Sequence, residues 1–159
     1  MIALEFAQYH ALVQLYADYA YAVDSGDWNL WPEFFVDTCS YRLVPRENNE
    51  RGLPLATLSF ESKGMLKDRV YGIRETLFHD PYYQRHVVGA PLVRASAPGR
   101  IESEANYAVF RTKLNELSTV FNVGRYLDVV VATPAGLKFK SRVVVFDSEM
   151  IPNSIIYPI

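Results

Sequence analysis

The chain has one cysteine, Cys39, in 159 residues. A lone thiol excludes an internal disulfide and fits a reducing compartment. It also excludes the two-cysteine, two-histidine set of a Rieske cluster and any four-cysteine zinc or iron–sulfur centre. Histidine is scarce too, with three copies. There is no basic block: 16 Lys and Arg against 18 Asp and Glu leave a net charge of -2, which recruits neither nucleic acid nor an anionic membrane. The apolar runs fall far short of the roughly 18 residues that a spanning helix needs. No basic segment followed by a signal core opens the chain. These absences point to a cytoplasmic protein, neither exported nor membrane-spanning.

What the chain does have is aromatic surface: eleven Tyr, nine Phe and two Trp, 14% of all residues. Such a surplus lines a cavity or covers an interface. The length suits one domain, 1–159, burying roughly 70% of the surface that its unfolded chain exposes.

The best-specified stretch is Thr119 to Asp147. Phe121, Val123, Leu127, Val129 and Val131 recur with period two, as do Leu137, Phe139, Val143 and Val145. Pro134-Ala135-Gly136 reads as a three-residue hairpin loop with a bulge, proline presetting the turn and glycine taking the left-handed position. Counted back from that loop, Asp128 falls opposite Arg142 as a cross-strand ion pair.

The rest of the chain supplies what this hairpin packs on. Residues 4 to 23 carry a helical stripe, Phe6, Tyr9, Val13, Tyr16, Ala20 and Val23. Leu4, Ala11, Leu12, Leu15 and Tyr19 widen it, so the helix is expected to be buried on more than one side until Asp24-Ser25-Gly26 ends it. Asp27 caps a second short helix through Phe35, with Pro32 near its start. A strand from Ser40 to Val44, a polar loop from Pro45 to Gly52 and a strand from Leu55 to Phe60 follow. Ser62 caps a third helix that His79-Asp80-Pro81 stops. Strands Arg85 to Ala97 and Ile101 to Lys113 precede the hairpin. The order α-α-β-β-α-β-β-β-β predicts an α+β fold, a curved mixed or antiparallel sheet wrapped around the long first helix as a cone.

The candidate chemistry is thin. His79, Asp80 and His86 are the only clustered set for a two-histidine, one-carboxylate metal site, and two sit at a helix end while the third begins a strand. His86 shares a face with Val88, Ala90 and Leu92 and points into the cone, where Asp37, Tyr41 and Arg111 could join it. A pocket of Asp, Tyr and His could move a proton beside a carbonyl, as an isomerase or dehydratase does. Against that, a lone histidine on an apolar face is ordinarily a hydrogen-bonded core residue, Asp37 lies in turn territory, and the aromatic first helices can fill the cavity. Asp68 and Arg69, adjacent on a helix, point apart and pair separately. Arg46, Glu47, Glu50 and Arg51 suit a protein–protein rim.

Eight segments in order, Tyr19 to Asp24 (YAYAVD), Trp31 to Phe35 (WPEFF), Val44 to Glu47 (VPRE), Met65 to Val70 (MLKDRV), Tyr83 to Gly89 (YQRHVVG), Asn106 to Arg111 (NYAVFR), Gly124 to Asp128 (GRYLD) and Arg142 to Asp147 (RVVVFD), carry a family likeness. The chain resembles the small (β) subunit of Rieske-type ring-hydroxylating aromatic oxygenases, most closely those acting on aromatic acids such as salicylate, anthranilate or terephthalate. The resemblance implies the nuclear transport factor 2-like cone and a non-catalytic assembly role. It places the Rieske 2Fe-2S cluster and the mononuclear iron in a large α subunit, the expected partner in an α3β3 complex. Electrons would reach that subunit from a reductase, with or without a ferredoxin. Such a role leaves this chain without catalytic, cofactor or metal residues of its own. It makes Arg46, Arg51, Tyr83, Arg85 and Tyr157 the expected contact material, because subunit interfaces favour Tyr and Arg. One departure stands out: Gly89-Ala90 occupies the place of a Ser-Asn pair in many relatives.

Overall fold

A computed structural model of the chain describes residues 3–152 and 154–159. Helix α1, Phe6–Ser25, ends where Gly26 turns into the left-handed region at φ 71° and its N–H returns to the carbonyls of Ala22 and Val23. Its buried face is Leu12, Leu15, Tyr16, Tyr19, Ala22 and Val23. Phe6 is 82% and Tyr21 76% exposed, so the expected burial on several sides is corrected. One curved sheet offers the helix one wall, and the other apolar positions face outward.

The expected second helix is only a 3-10 turn, Trp31–Phe34, because Pro32 removes a donor and the chain must extend at once into β1, Phe35–Pro45. The polar loop after it holds a one-turn helix, α2, Arg46–Glu50, laced by Arg46–Glu50 and Glu47–Arg51 pairs at i,i+4. Strand β2 is Leu58–Phe60. Helix α3, Lys63–Tyr71, is capped by Ser62 Oγ accepting from Met65 N at 3.2 Å, and continues as a π turn, Gly72–Thr76.

Five strands complete the chain: β3 (Tyr83–Val88), β4 (Leu92–Ala97), β5 (Arg100–Thr112), β6 (Thr119–Thr133) and β7 (Gly136–Phe146). The sheet runs β2-β1-β7-β6-β5-β3, with β4 also on β5. Strands β1 and β7 are parallel and the other pairs antiparallel, so the sheet is mixed. The single strand expected over residues 85–97 is two. Pro91 cannot donate to a ladder, and β3 and β4 pair with successive halves of the long β5.

In the β6–β7 hairpin, Asp128 does lie opposite Arg142, though the turn alone does not put it there. Thr133 pairs directly with Gly136, whose φ is 103°, and the register then slips between Val129 and Val130. On β7 that slip leaves Lys140 as the extra residue between Phe139 and Ser141. The bulge also switches which residues face inward. The concave face carries Tyr126, Asp128 and Val130 from β6 and Phe139, Arg142, Val144 and Phe146 from β7, while Leu127, Val129, Val131 and Val143 are half-buried on the other side. With α1 against that concave face, the result is the expected cone.

Candidate functional site

The interior of the cone is where a catalytic pocket would form. It is built around a charge pair. Arg142 and Asp128 are both fully buried and meet in two parallel bonds, Nε to Oδ1 at 2.9 Å and Nη2 to Oδ2 at 2.7 Å. The Tyr16 hydroxyl from α1 donates to the same carboxylate, and Ser103 bonds that hydroxyl at 3.0 Å. Four rings enclose the guanidinium carbon: Tyr126 at 3.9 Å, Phe139 at 4.0 Å, Tyr19 at 4.2 Å and Tyr16 at 5.0 Å. Burial alone would pull the guanidinium's pKa down; Asp128 reverses this and holds it well above the usual value. Burial, and next the Asp128 charge, pushes the Tyr16 hydroxyl far above the ordinary phenol. Tyr16 therefore stays a phenol and Arg142 a cation near neutral pH.

The mouth of the cone is closed by the chain's own tail. Trp31 Nε1 donates to the Tyr19 hydroxyl, which donates to the Ile159 carbonyl, both at 3.0 Å. Tyr41 donates to that carbonyl at 3.0 Å and accepts from Ile159 N at 3.1 Å. Arg69 of α3 holds the tail from outside, donating to the carbonyls of Ile155 and Ile156 at 2.9 and 3.0 Å. Tyr157 stacks on Trp28 at 4.8 Å between ring centroids and bonds His79 Nε2 at 2.7 Å. Ile155, Pro158 and Ile159 are buried, filling space that a substrate would need.

The residues weighed for a pocket enzyme do not converge. His86 does point inward, but its Nδ1 lies 2.6 Å from Asp24 Oδ1, and its backbone N–H donates to Asp24 Oδ2 at 2.8 Å. It fastens the end of α1 to β3. Tyr41 is buried and committed to Ile159, and the Asp37 side chain is 96% exposed, 3.9 Å from Lys63 Nζ. Arg111 lies over the rings of Phe121 at 4.8 Å and Tyr82 at 5.5 Å. His79, Asp80 and His86, the clustered set for a metal, take separate partners: His79 bonds Tyr157, Asp80 pairs with Lys113 at 3.0 Å, and His86 binds Asp24. Among the described residues no group of three or more His, Cys, Asp or Glu could hold a metal ion.

Two features escaped the sequence reading. One is Asp24, which from the sequence reads only as part of a helix stop. A carboxylate in the last turn of a helix opposes the macrodipole, and that conflict is the signal that it answers a specific partner. The other is the tail as a plug, for which Ile155-Ile156-Tyr157-Pro158-Ile159 gives composition but no period. Of the residues expected at an interface, Tyr83 is 81% exposed and Arg85 is exposed beside it on the convex face of β3. Arg46 is exposed on α2 and Arg51 at its C-cap, and Tyr157 is half-buried. A Cβ at Gly89 would lie 3.6 Å from the Asn106 carbonyl, an ordinary contact, so serine would fit there.

Comparison with known proteins adds independent findings. The family model described as "Ring hydroxylating beta subunit" matches residues 19–153. The anthranilate 1,2-dioxygenase small subunit of Burkholderia cepacia is 34% identical over 137 residues, covering 86% of this chain and 85% of that protein. Subunit beta 1 of the terminal oxygenase component of terephthalate 1,2-dioxygenase from Comamonas sp is 29% identical over 143 residues, covering 90% and 93%. Among solved structures, the beta subunit of a candidate aromatic-ring-hydroxylating dioxygenase from Novosphingobium aromaticivorans superposes with a TM-score of 0.85 at 31% identity, over 95% of each chain. The architecture is the nuclear transport factor 2-like cone.

Proposed function

The chain belongs to the ring-hydroxylating beta-subunit family, and on that premise we propose that it is a non-catalytic assembly subunit of an oxygenase acting on an aromatic acid. The filled cone carries this reading: its charges are paired, its inward histidine is tied to Asp24, and its mouth is occupied by Ile159. A cone interior without room for substrate leaves the outer surface as the chain's contribution. The partner is a large α subunit, in an α3β3 complex, that holds the Rieske 2Fe-2S cluster, the mononuclear iron and the substrate. A reductase, with or without a ferredoxin, supplies electrons to α. The likeness to small subunits of anthranilate and terephthalate dioxygenases supports the substrate class. No described helix is long and apolar enough to cross a membrane, and we place the complex in the cytoplasm, with 1–159 as one domain.

The contact surface we propose is the convex side of β3, with Tyr83 and Arg85, together with α2, with Arg46 and the C-cap Arg51, and the exposed edge of Tyr157. Obligate subunit interfaces exceed about 2,000 Å² and concentrate energy in Tyr and Arg. Tyr83→Ala or Arg51→Ala is expected to weaken assembly at least tenfold in a titration of the two subunits, with iron per α chain unchanged. Intact assembly with lost turnover would contradict the proposal.

A further inference from the structure

Beside the contact surface lies a hollow of about 180 Å³ lined by Phe78, His79, Asp80, Tyr82, Arg111, Lys113, Ser154 and Ile156. Its charges do not balance. Lys113, 16% exposed, is neutralised by Asp80 at 3.0 Å. Arg111 has no carboxylate among the described residues within 4.0 Å. Its guanidinium is instead held over the Tyr82 and Phe121 rings, which fix its plane and leave the N–H fork at its edge unspent. His79 adds a second polar group: its Nε2 is engaged by the Tyr157 hydroxyl, while Nδ1 is buried with no partner among the described residues. With Lys113 and Asp80 cancelling each other, an arginine fork and an unsatisfied imidazole nitrogen, walled by aromatic rings, are complementary to one carboxylate. The volume sharpens this. Drug-sized ligands occupy pockets of at least about 300 Å³, so a hollow of 180 Å³ takes a carboxylate with a small body attached.

We propose that this hollow is a carboxylate-binding site anchored by Arg111, with His79 as auxiliary donor. A carboxylate can come from two sources, a free monocyclic aromatic acid or an acidic side chain presented by the large subunit. The second source rests on the family reading above; the first does not. Phe78 of the lining is exposed, as are Tyr83 and Leu114, the sequence neighbours of Tyr82 and Lys113.

The test uses the full chain, benzoate as probe, and Arg111→Gln with Arg111→Lys as a charge-retaining control. Calorimetric titration of the wild-type chain with benzoate is expected to saturate at one site, weakening at least tenfold in Arg111→Gln and recovering in part in Arg111→Lys. Chemical shifts of the wild-type chain on adding benzoate should centre on Arg111 and His79, a readout that survives if a variant fails to fold. If benzoate does not bind but Arg111→Gln weakens assembly with the large subunit at least tenfold, the carboxylate is the partner's and the site stands. If wild type and Arg111→Gln do not differ in benzoate binding or in assembly, the site is overturned. That outcome leaves the family reading untouched, because wild-type assembly is measured in the same experiment.

Discussion

Arg142 sits at the energetic centre of the molecule, fully buried and paired with Asp128. Two charges removed from water cost several kcal/mol each, and the cost is recovered only if every lone pair and donor finds a partner. Asp128 meets Nε and Nη2, Tyr16 donates to the same carboxylate with Ser103 behind it, and four rings face the guanidinium, while Nη1 is left without a hydrogen-bond partner among the described residues. Asp128→Ala strands the guanidinium, and is expected to lower unfolding free energy in urea by about 3–5 kcal/mol. The double variant Asp128→Leu, Arg142→Met should cost less than the two single losses combined, because it leaves no buried charge. Additive losses would contradict a coupled pair. The buried tyrosines make a pH prediction. Burial raises the pKa of Tyr16, Tyr19, Tyr41, Tyr107 and Tyr126 above the ordinary phenol near 10. Since the folded values are raised, their stabilising effect is complete below pH ~10 and is lost as pH climbs through the folded values. Tyrosinate absorbance should therefore lag for these residues and appear together with loss of secondary structure. Titration of all eleven tyrosines near pH 10 in a folded chain would refute it.

At the scale of elements, the β6–β7 hairpin is held by a bulge and a close approach. A Cβ on Gly124 would lie 1.9 Å from the Val145 carbonyl, closer than any packing permits. Gly124→Ala is expected to destabilise by roughly 3 kcal/mol, the upper end of overpacking costs, measured as a lowered urea midpoint with unchanged slope. An unchanged midpoint would mean that the strands are not held so tightly there. The pairing of Asp128 with Arg142 was reached from a three-residue loop that does not form; a shorter turn and the extra residue Lys140 offset each other by one position and restore the same register. The inward face was not legible, because one extra residue on each strand, Phe121 on β6 and Lys140 on β7, reverses the parity, and no local propensity marks where a bulge falls. The same limit explains the shortened second helix. Trp28, Trp31, Phe34 and Phe35 have helical spacing, yet tertiary pairing draws Phe35 into β1.

For the whole molecule, the α+β cone followed from element order, and the family likeness ran through nearly the full chain. The closed mouth was not legible, since it depends on residues more than a hundred positions apart, such as Tyr41 and Ile159. Deleting residues 155–159 should cost on the order of 4 kcal/mol, from about 1.5–3 kcal/mol for each of Ile155 and Ile159. A urea midpoint equal to wild type would show the tail to be a passenger.

The central claim is that this chain assembles an oxygenase without performing its chemistry, and native mass with iron content tests it most directly. The chain is expressed alone and then with a large subunit of an aromatic-acid oxygenase. The account predicts a mixed complex of equal stoichiometry in which iron follows the large chain alone. A stable homodimer that ignores the large subunit, or iron retained by this chain in isolation, would contradict it.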